Sequence, residues 1–146
     1  MAGAAGVVWC RTAMPDAHPP RSRASGLLGP FVALVALHSI AVGVVLAFFP
    51  GWGARFGGFD PITPVFFARQ GGVFHIVLGI AYWTEYRRTG GVALLVFAKA
   101  CATVFLLTAT LLGGVPWAVP ASAAGDALMG LAAWWLRRRA VGDAVA

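Results

Sequence analysis

The sequence predicts an all-α fold: a four-helix transmembrane bundle of up-down-up-down topology with both termini on the cytoplasmic side. Three observations lead to this prediction: the composition, the lengths of the apolar runs and the positions of the basic residues. Hydrophobic residues make up 60% of the chain and charged residues only 11%, whereas about a quarter of a typical soluble domain is charged. The apolar runs are about 20 residues long, which is the length that a helix needs to cross a bilayer.

Short breaks in hydropathy divide the chain into four predicted spans. They cover residues 27–49, 62–83, 92–112 and 117–136, each bound being approximate. Pro50 and Gly51 end the first span, and Pro61 and Pro64 open the second, where a missing backbone N–H costs little. Residues 113–116 turn the chain back before the fourth span. Because these connections are short, neighbouring helices are expected to be antiparallel.

The orientation follows from the basic residues in the loops, since lysine and arginine are retained on the cytoplasmic face. Of the lysine and arginine residues outside the predicted spans, Arg55 is the only one on the predicted outer side. Trp52 and Trp117 near the outer boundary, with Trp83 and Trp134 near the inner one, fit interfacial aromatic belts. The basic residues on the predicted cytoplasmic side are Arg11, Arg21, Arg23, Arg87, Arg88, Arg137, Arg138 and Arg139.

Three regions make up the predicted domain organisation. Residues 1–25 are predicted to be a disordered cytoplasmic tail, because charged residues and prolines leave little apolar surface to bury. Residues 26–137 form the transmembrane domain, and residues 138–146 form a second cytoplasmic tail. The apolar run from Leu27 is long enough to span, so it is interpreted as an anchor and not as a cleaved signal peptide. The true start is Met1 or Met14.

Polar residues inside the predicted spans are the candidate binding residues. Placing an ionisable side chain inside the bilayer costs about 3 kcal/mol or more in free energy unless the group is paired or hydrated. These residues are therefore expected to face the bundle interior. We expect Arg69, Lys99 and Asp126 to form a buried cluster. Two cations and one anion leave an excess positive charge, which favours a polar ligand such as an anionic lipid headgroup or a quinone. The full set is His38, Arg69, Gln70, His75, Lys99 and Asp126.

Other interpretations of these residues stay open. The polar groups can simply hold four helices in register. His38 and His75 lie at similar predicted depth on neighbouring helices, which is compatible with two axial ligands of a haem, with a hydrogen bond across helices or with a proton path. The sequence has no catalytic motif and no metal motif. The net charge of +6 does not indicate nucleic acid, because most of the arginines flank apolar runs.

The second span contains the pattern Phe67-Ala68-Arg69-Gln70-Gly71-Gly72 and then Gly79. With Lys99 on the third span and Asp126 on the fourth, this arrangement resembles the small DoxX-like bacterial membrane proteins over about residues 27–136. The resemblance implies a multi-pass protein of the bacterial cytoplasmic (inner) membrane and, from some relatives, quinone-dependent sulfur oxidation.

The predicted function is that of an accessory or small-ligand-binding membrane protein, without enzymatic activity, whose ligand is a lipid or a quinone. The alternatives are a redox protein linked to quinone or b-type haem, and a subunit of a transporter. The expected partners are the lipid bilayer and either a second copy of the chain or another protein of a membrane complex.

Overall fold

The structure, a computed structural model, describes residues 23–60 and 63–142, and the side chains from residue 26 onward. These residues form α1 (Arg23–Phe48), α2 (Pro50–Phe56), α3 (Phe66–Thr89), α4 (Ala93–Leu112) and α5 (Ala118–Gly142). They contain no β-strand, which confirms the all-α prediction for this part of the chain. The tail up to residue 22, both candidate starts and the last four residues lie outside the described residues.

The helix bounds depart from the predicted spans in the connection between the first two spans and at the C-terminal ends of α3 and α5. Pro50 and Gly51 were predicted to end the first span; α1 does end at Phe48, and Pro50–Phe56 is a further short helix with proline in its first turn, where the fixed φ suits a helix start. The helix α3 begins at Phe66, after the prolines, and continues to Thr89, past the predicted end of the second span. The helix α5 continues to Gly142, past the predicted end of the span, because basic residues are favourable at a helix C-terminus.

Packing joins the helices in an order that differs from their order in the chain. The most extensive interface is between α1 and α3, followed by that between α4 and α5, and α1 also packs against α5. The helices α3 and α4 are consecutive in the chain but touch little. The bundle therefore consists of two helix pairs, α1 with α3 and α4 with α5, that meet mainly through α1 and α5.

Glycine brings the backbones of α1 and α3 into direct contact. A Cβ added at Gly72 would lie 2.5 Å from the backbone nitrogen of Ala47 and 2.6 Å from the carbonyl oxygen of Gly43. One added at Gly79 would lie 2.7 Å from the carbonyl oxygen of Ala36. Because the contacts pair the end of α1 with the beginning of α3, the two helices are antiparallel. Small residues that permit such close approach are typical of helix pairs in membranes.

Two helices are long and apolar enough to cross a membrane, over Gly26–Phe48 and Ala93–Leu112. The outer surface of the bundle is also apolar, with large side chains exposed on all four long helices. Leu111 of α4 is 87% exposed and Leu128 of α5 is 69% exposed. Soluble monomers rarely expose contiguous apolar surface on this scale. In contrast, the charged residue Lys99 is buried inside the bundle and is only 4% exposed.

Glu85 closes the turn between α3 and α4. Its Oε1 accepts a hydrogen bond from the backbone N–H of Ala93 at 3.1 Å, and its Oε2 accepts one from that of Leu94 at 3.0 Å. Gly90 supports the turn with a φ of +63°, in the left-handed region that glycine adopts without strain. The carboxylate thus satisfies two unpaired donors of the first turn of α4 and complements the helix dipole.

Replacement of Glu85 by alanine is expected to lower the free energy of unfolding by about 1–2 kcal/mol, since two N–H groups lose their acceptor. The measurement is the thermal unfolding midpoint of the purified protein in detergent. Thr84→Ala is the control, because Thr84 bonds only to the carbonyl of Ile80 in its own helix, and we expect a change of less than about 0.5 kcal/mol. Equal effects of the two substitutions would contradict the capping role.

Candidate functional site

A buried ion pair between α4 and α5 is the centre of the candidate site. Lys99 Nζ donates to Asp126 Oδ1 at 2.5 Å, and the two side chains are 5% and 13% exposed. It is the only salt bridge among the described residues. The sequence prediction that these two residues meet is confirmed. Each partner removes the cost of leaving the other ionised in an apolar environment.

The neighbours of the pair explain how the lysine fits between two helices. A Cβ added at Gly130 would lie 3.2 Å from the Cβ of Lys99, so glycine leaves room for the lysine stem against α5. The hydroxyl of Thr103 donates to the carbonyl oxygen of Lys99 at 2.7 Å. This bond keeps the threonine turned toward its own helix backbone, so Thr103 does not compete for the carboxylate of Asp126.

Asp126 also forms part of the wall of a groove. The groove lies along α4 and α5, has a volume of about 460 Å³, and is walled by apolar side chains that include Val104, Leu131 and Trp134. This volume is within the range of small-molecule sites, about 300–1,000 Å³. Lys99 is not among the lining residues. Thus the carboxylate connects the buried pair to a surface that a ligand can reach.

The interior-facing side of α3 presents a histidine and a tyrosine. His75 is half-buried. Tyr82, two turns further along, is 2% exposed and part of the core. No hydrogen bond joins His75 to Lys99 or Asp126, so its place in the predicted cluster stays a prediction.

Arg69 and Gln70 do not belong to this site, and the prediction that Arg69 joins the buried cluster is wrong. Both residues are exposed. They line a shallow groove on the face of α3 that points away from the other helices, together with Phe66, Val73 and Phe74. At about 100° per residue, they lie roughly 120° and 140° around the helix from His75. A stripe that turns His75 inward therefore turns them outward.

His38 is likewise exposed, on α1, so the prediction that it faces the bundle interior is wrong. One histidine of the predicted pair is thus on the surface and the other half-buried. The described residues contain no group of three or more His, Cys, Asp or Glu side chains placed to hold a metal ion.

Because Arg69 is exposed, the charges inside the bundle differ from the predicted set. The buried set now holds one cation and one anion, which neutralise each other. The predicted excess of positive charge is absent, and with it the reason to expect an anionic ligand at this point. Asp126 on the groove wall instead favours a group that donates a hydrogen bond.

Comparison with known protein families, with characterised proteins and with solved structures finds no match for this chain. The resemblance to DoxX-like proteins therefore stays a prediction.

Proposed function

We propose that this chain is a multi-pass protein of a bacterial cytoplasmic membrane in which all four long helices span the bilayer, with both termini in the cytoplasm. The apolar exposed faces of α1, α3, α4 and α5 support this proposal, because they bury their area only against lipid or another protein. Arg87 and Arg88 lie in the last turn of α3, and Arg137, Arg138 and Arg139 lie within the last two turns of α5. This placement is that of basic residues retained on the cytoplasmic side.

Given this membrane location, we propose that the protein binds a small amphipathic molecule, a lipid or a quinone, in the groove between α4 and α5. The observation that carries the proposal is the carboxylate of Asp126 on a wall that is apolar except for Asp126 and Thr103. Apolar ligands are oriented by a few polar groups of this kind. A hydroxyl donor suits the carboxylate, so a reduced quinone or a hydroxyl-bearing lipid fits better than an anionic headgroup.

The test is mass spectrometry of the lipids and quinones that remain bound to the purified protein. Ala100 lines the groove, and Ala100→Leu is expected to lower the amount of bound molecule about tenfold by filling the space, at little cost in stability. Cys101→Leu is the matched control, because Cys101 is exposed on the same helix outside the groove, and it is expected to retain the ligand.

Two results would overturn the ligand proposal. One is a wild-type protein that retains no molecule beyond bulk lipid. The other is equal retention by wild type and Ala100→Leu. A protein that stays in solution without detergent would instead overturn the membrane proposal itself.

A further inference from the structure

The spacing Trp-x-x-x-Arg occurs three times near the ends of α3 and α5, and each time the arginine lies over the tryptophan ring. The guanidinium carbon of Arg87 is 5.6 Å from the ring centroid of its tryptophan. The corresponding distances are 4.3 Å for Arg138 and 3.9 Å for Arg139. Cation–π contacts act within about 6 Å. The three pairs are Trp83 with Arg87, Trp134 with Arg138 and Trp135 with Arg139.

These pairs lie at one end of the bundle. A Cβ added at Gly29, near the start of α1, would lie 2.9 Å from the hydroxyl of Tyr86, near the end of α3. At the other end, Phe56 of α2 contacts Trp117, which precedes α5, with ring centroids 6.0 Å apart. Thus α5 begins at the end of the bundle that contains α2, and its C-terminus lies at the same end of the bundle as the C-terminus of α3. We call the surface formed by the C-terminal ends of α3 and α5 the arginine end.

The arginine end carries an uncompensated positive charge among the described residues. It holds five arginines against one acidic residue, Glu85, whose oxygens both accept hydrogen bonds from α4 backbone N–H groups. No described carboxylate forms a salt bridge with any of these arginines. The opposite end has Arg55 and Arg69 against Asp60. The five arginines are Arg87, Arg88, Arg137, Arg138 and Arg139.

We propose that the arginine end binds the headgroups of anionic phospholipids. A guanidinium that rests on an indole keeps its N–H groups available for phosphate oxygens, and it loses less freedom on binding than an unsupported side chain. Tryptophan prefers the headgroup depth of a bilayer, which places the arginines level with the phosphates. This inference rests on the proposed membrane location, and it concerns a surface separate from the groove at Asp126.

The experiment uses the full chain in nanodiscs of equimolar phosphatidylglycerol and phosphatidylcholine, with the lipids that stay bound counted by native mass spectrometry. Wild type is expected to retain phosphatidylglycerol over phosphatidylcholine by about threefold or more. Arg138→Gln with Arg139→Gln is expected to lower this ratio toward one, because it removes two of the three arginines that rest on tryptophan. Arg55→Gln with Arg69→Gln removes the same charge at the opposite end and is expected to keep the wild-type ratio.

Several outcomes would overturn the inference. Wild type without a preference would do so, as would an equal loss in both double variants. Arg138→Lys with Arg139→Lys keeps the charge but removes the planar contact with the indoles, and we expect it to lose part of the preference. An undiminished preference in that variant would overturn the role of the tryptophans. Failure of the chain to enter nanodiscs would instead count against the membrane proposal.

Discussion

Replacement of Gly72 by leucine is expected to prevent α1 and α3 from packing and so to abolish the folded bundle. The space for even a Cβ is occupied by backbone atoms of Ala47 and Gly43, at 2.5 and 2.6 Å, and backbone cannot move aside as a flexible side chain can. Separation of the two helices disrupts the most extensive interface of the protein. We expect a loss of about 3 kcal/mol or more in the free energy of unfolding. Size-exclusion chromatography and thermal unfolding in detergent measure the effect.

Gly71 provides the matched control, because it is the adjacent residue of the same helix and a Cβ there would meet nothing within 4 Å. Gly71→Leu makes the same chemical change, and we expect it to alter stability by less than about 1 kcal/mol. If the two variants are equally stable, or equally damaged, the close contact of α1 with α3 does not exist as described.

Replacement of Asp126 by leucine is expected to cost about 3–5 kcal/mol, because it leaves the amine of Lys99 without its carboxylate. The lysine side chain is 5% exposed, so water cannot take over the lost contact unless the bundle opens. Lys99→Met alone is also expected to destabilise the protein, since the carboxylate then faces the bundle without a cation. Equilibrium unfolding in mixed detergent micelles gives the free energy for each variant.

The double variant Lys99→Met with Asp126→Leu distinguishes a lost pair from lost packing. Both charges are then absent and the volumes stay similar, so most of the stability of the wild type is expected to return. Cys101→Leu, on the exposed side of α4, serves as a control for substitution on this helix. A double variant whose loss equals the sum of the two single losses would show that the residues do not interact.

The sequence was sufficient to predict long helices and the contact of Lys99 with Asp126. Both predictions rest on strong physical terms: the length of the apolar runs, and the cost of an unpaired charge in an apolar interior. The same reasoning was wrong for Arg69, since the rule that a charge faces inward does not fix the rotation of a particular helix. An arginine near a helix end can instead extend its side chain along the surface.

The sequence also does not determine which glycine of α3 packs against α1. In the sequence, Gly71 lies one turn before His75 and so shares its helix face. The structure buries Gly72 instead, in the direction of α1. Two adjacent glycines point about 100° apart around the helix axis. Only the position of the neighbouring helix determines which of the two faces it. The capping role of Glu85 was not predicted either, because it depends on how the turn brings the start of α4 back to the end of α3.

The limited contact between α3 and α4 has a consequence for how the chain assembles during synthesis. The interface of α1 with α3 is complete once residue 89 has been made. The helices α4 and α5 follow as a hairpin that contains both Lys99 and Asp126. Under the proposed membrane topology, the two charges can therefore neutralise each other within this hairpin as it enters the bilayer, before it meets the half of the protein that was inserted first.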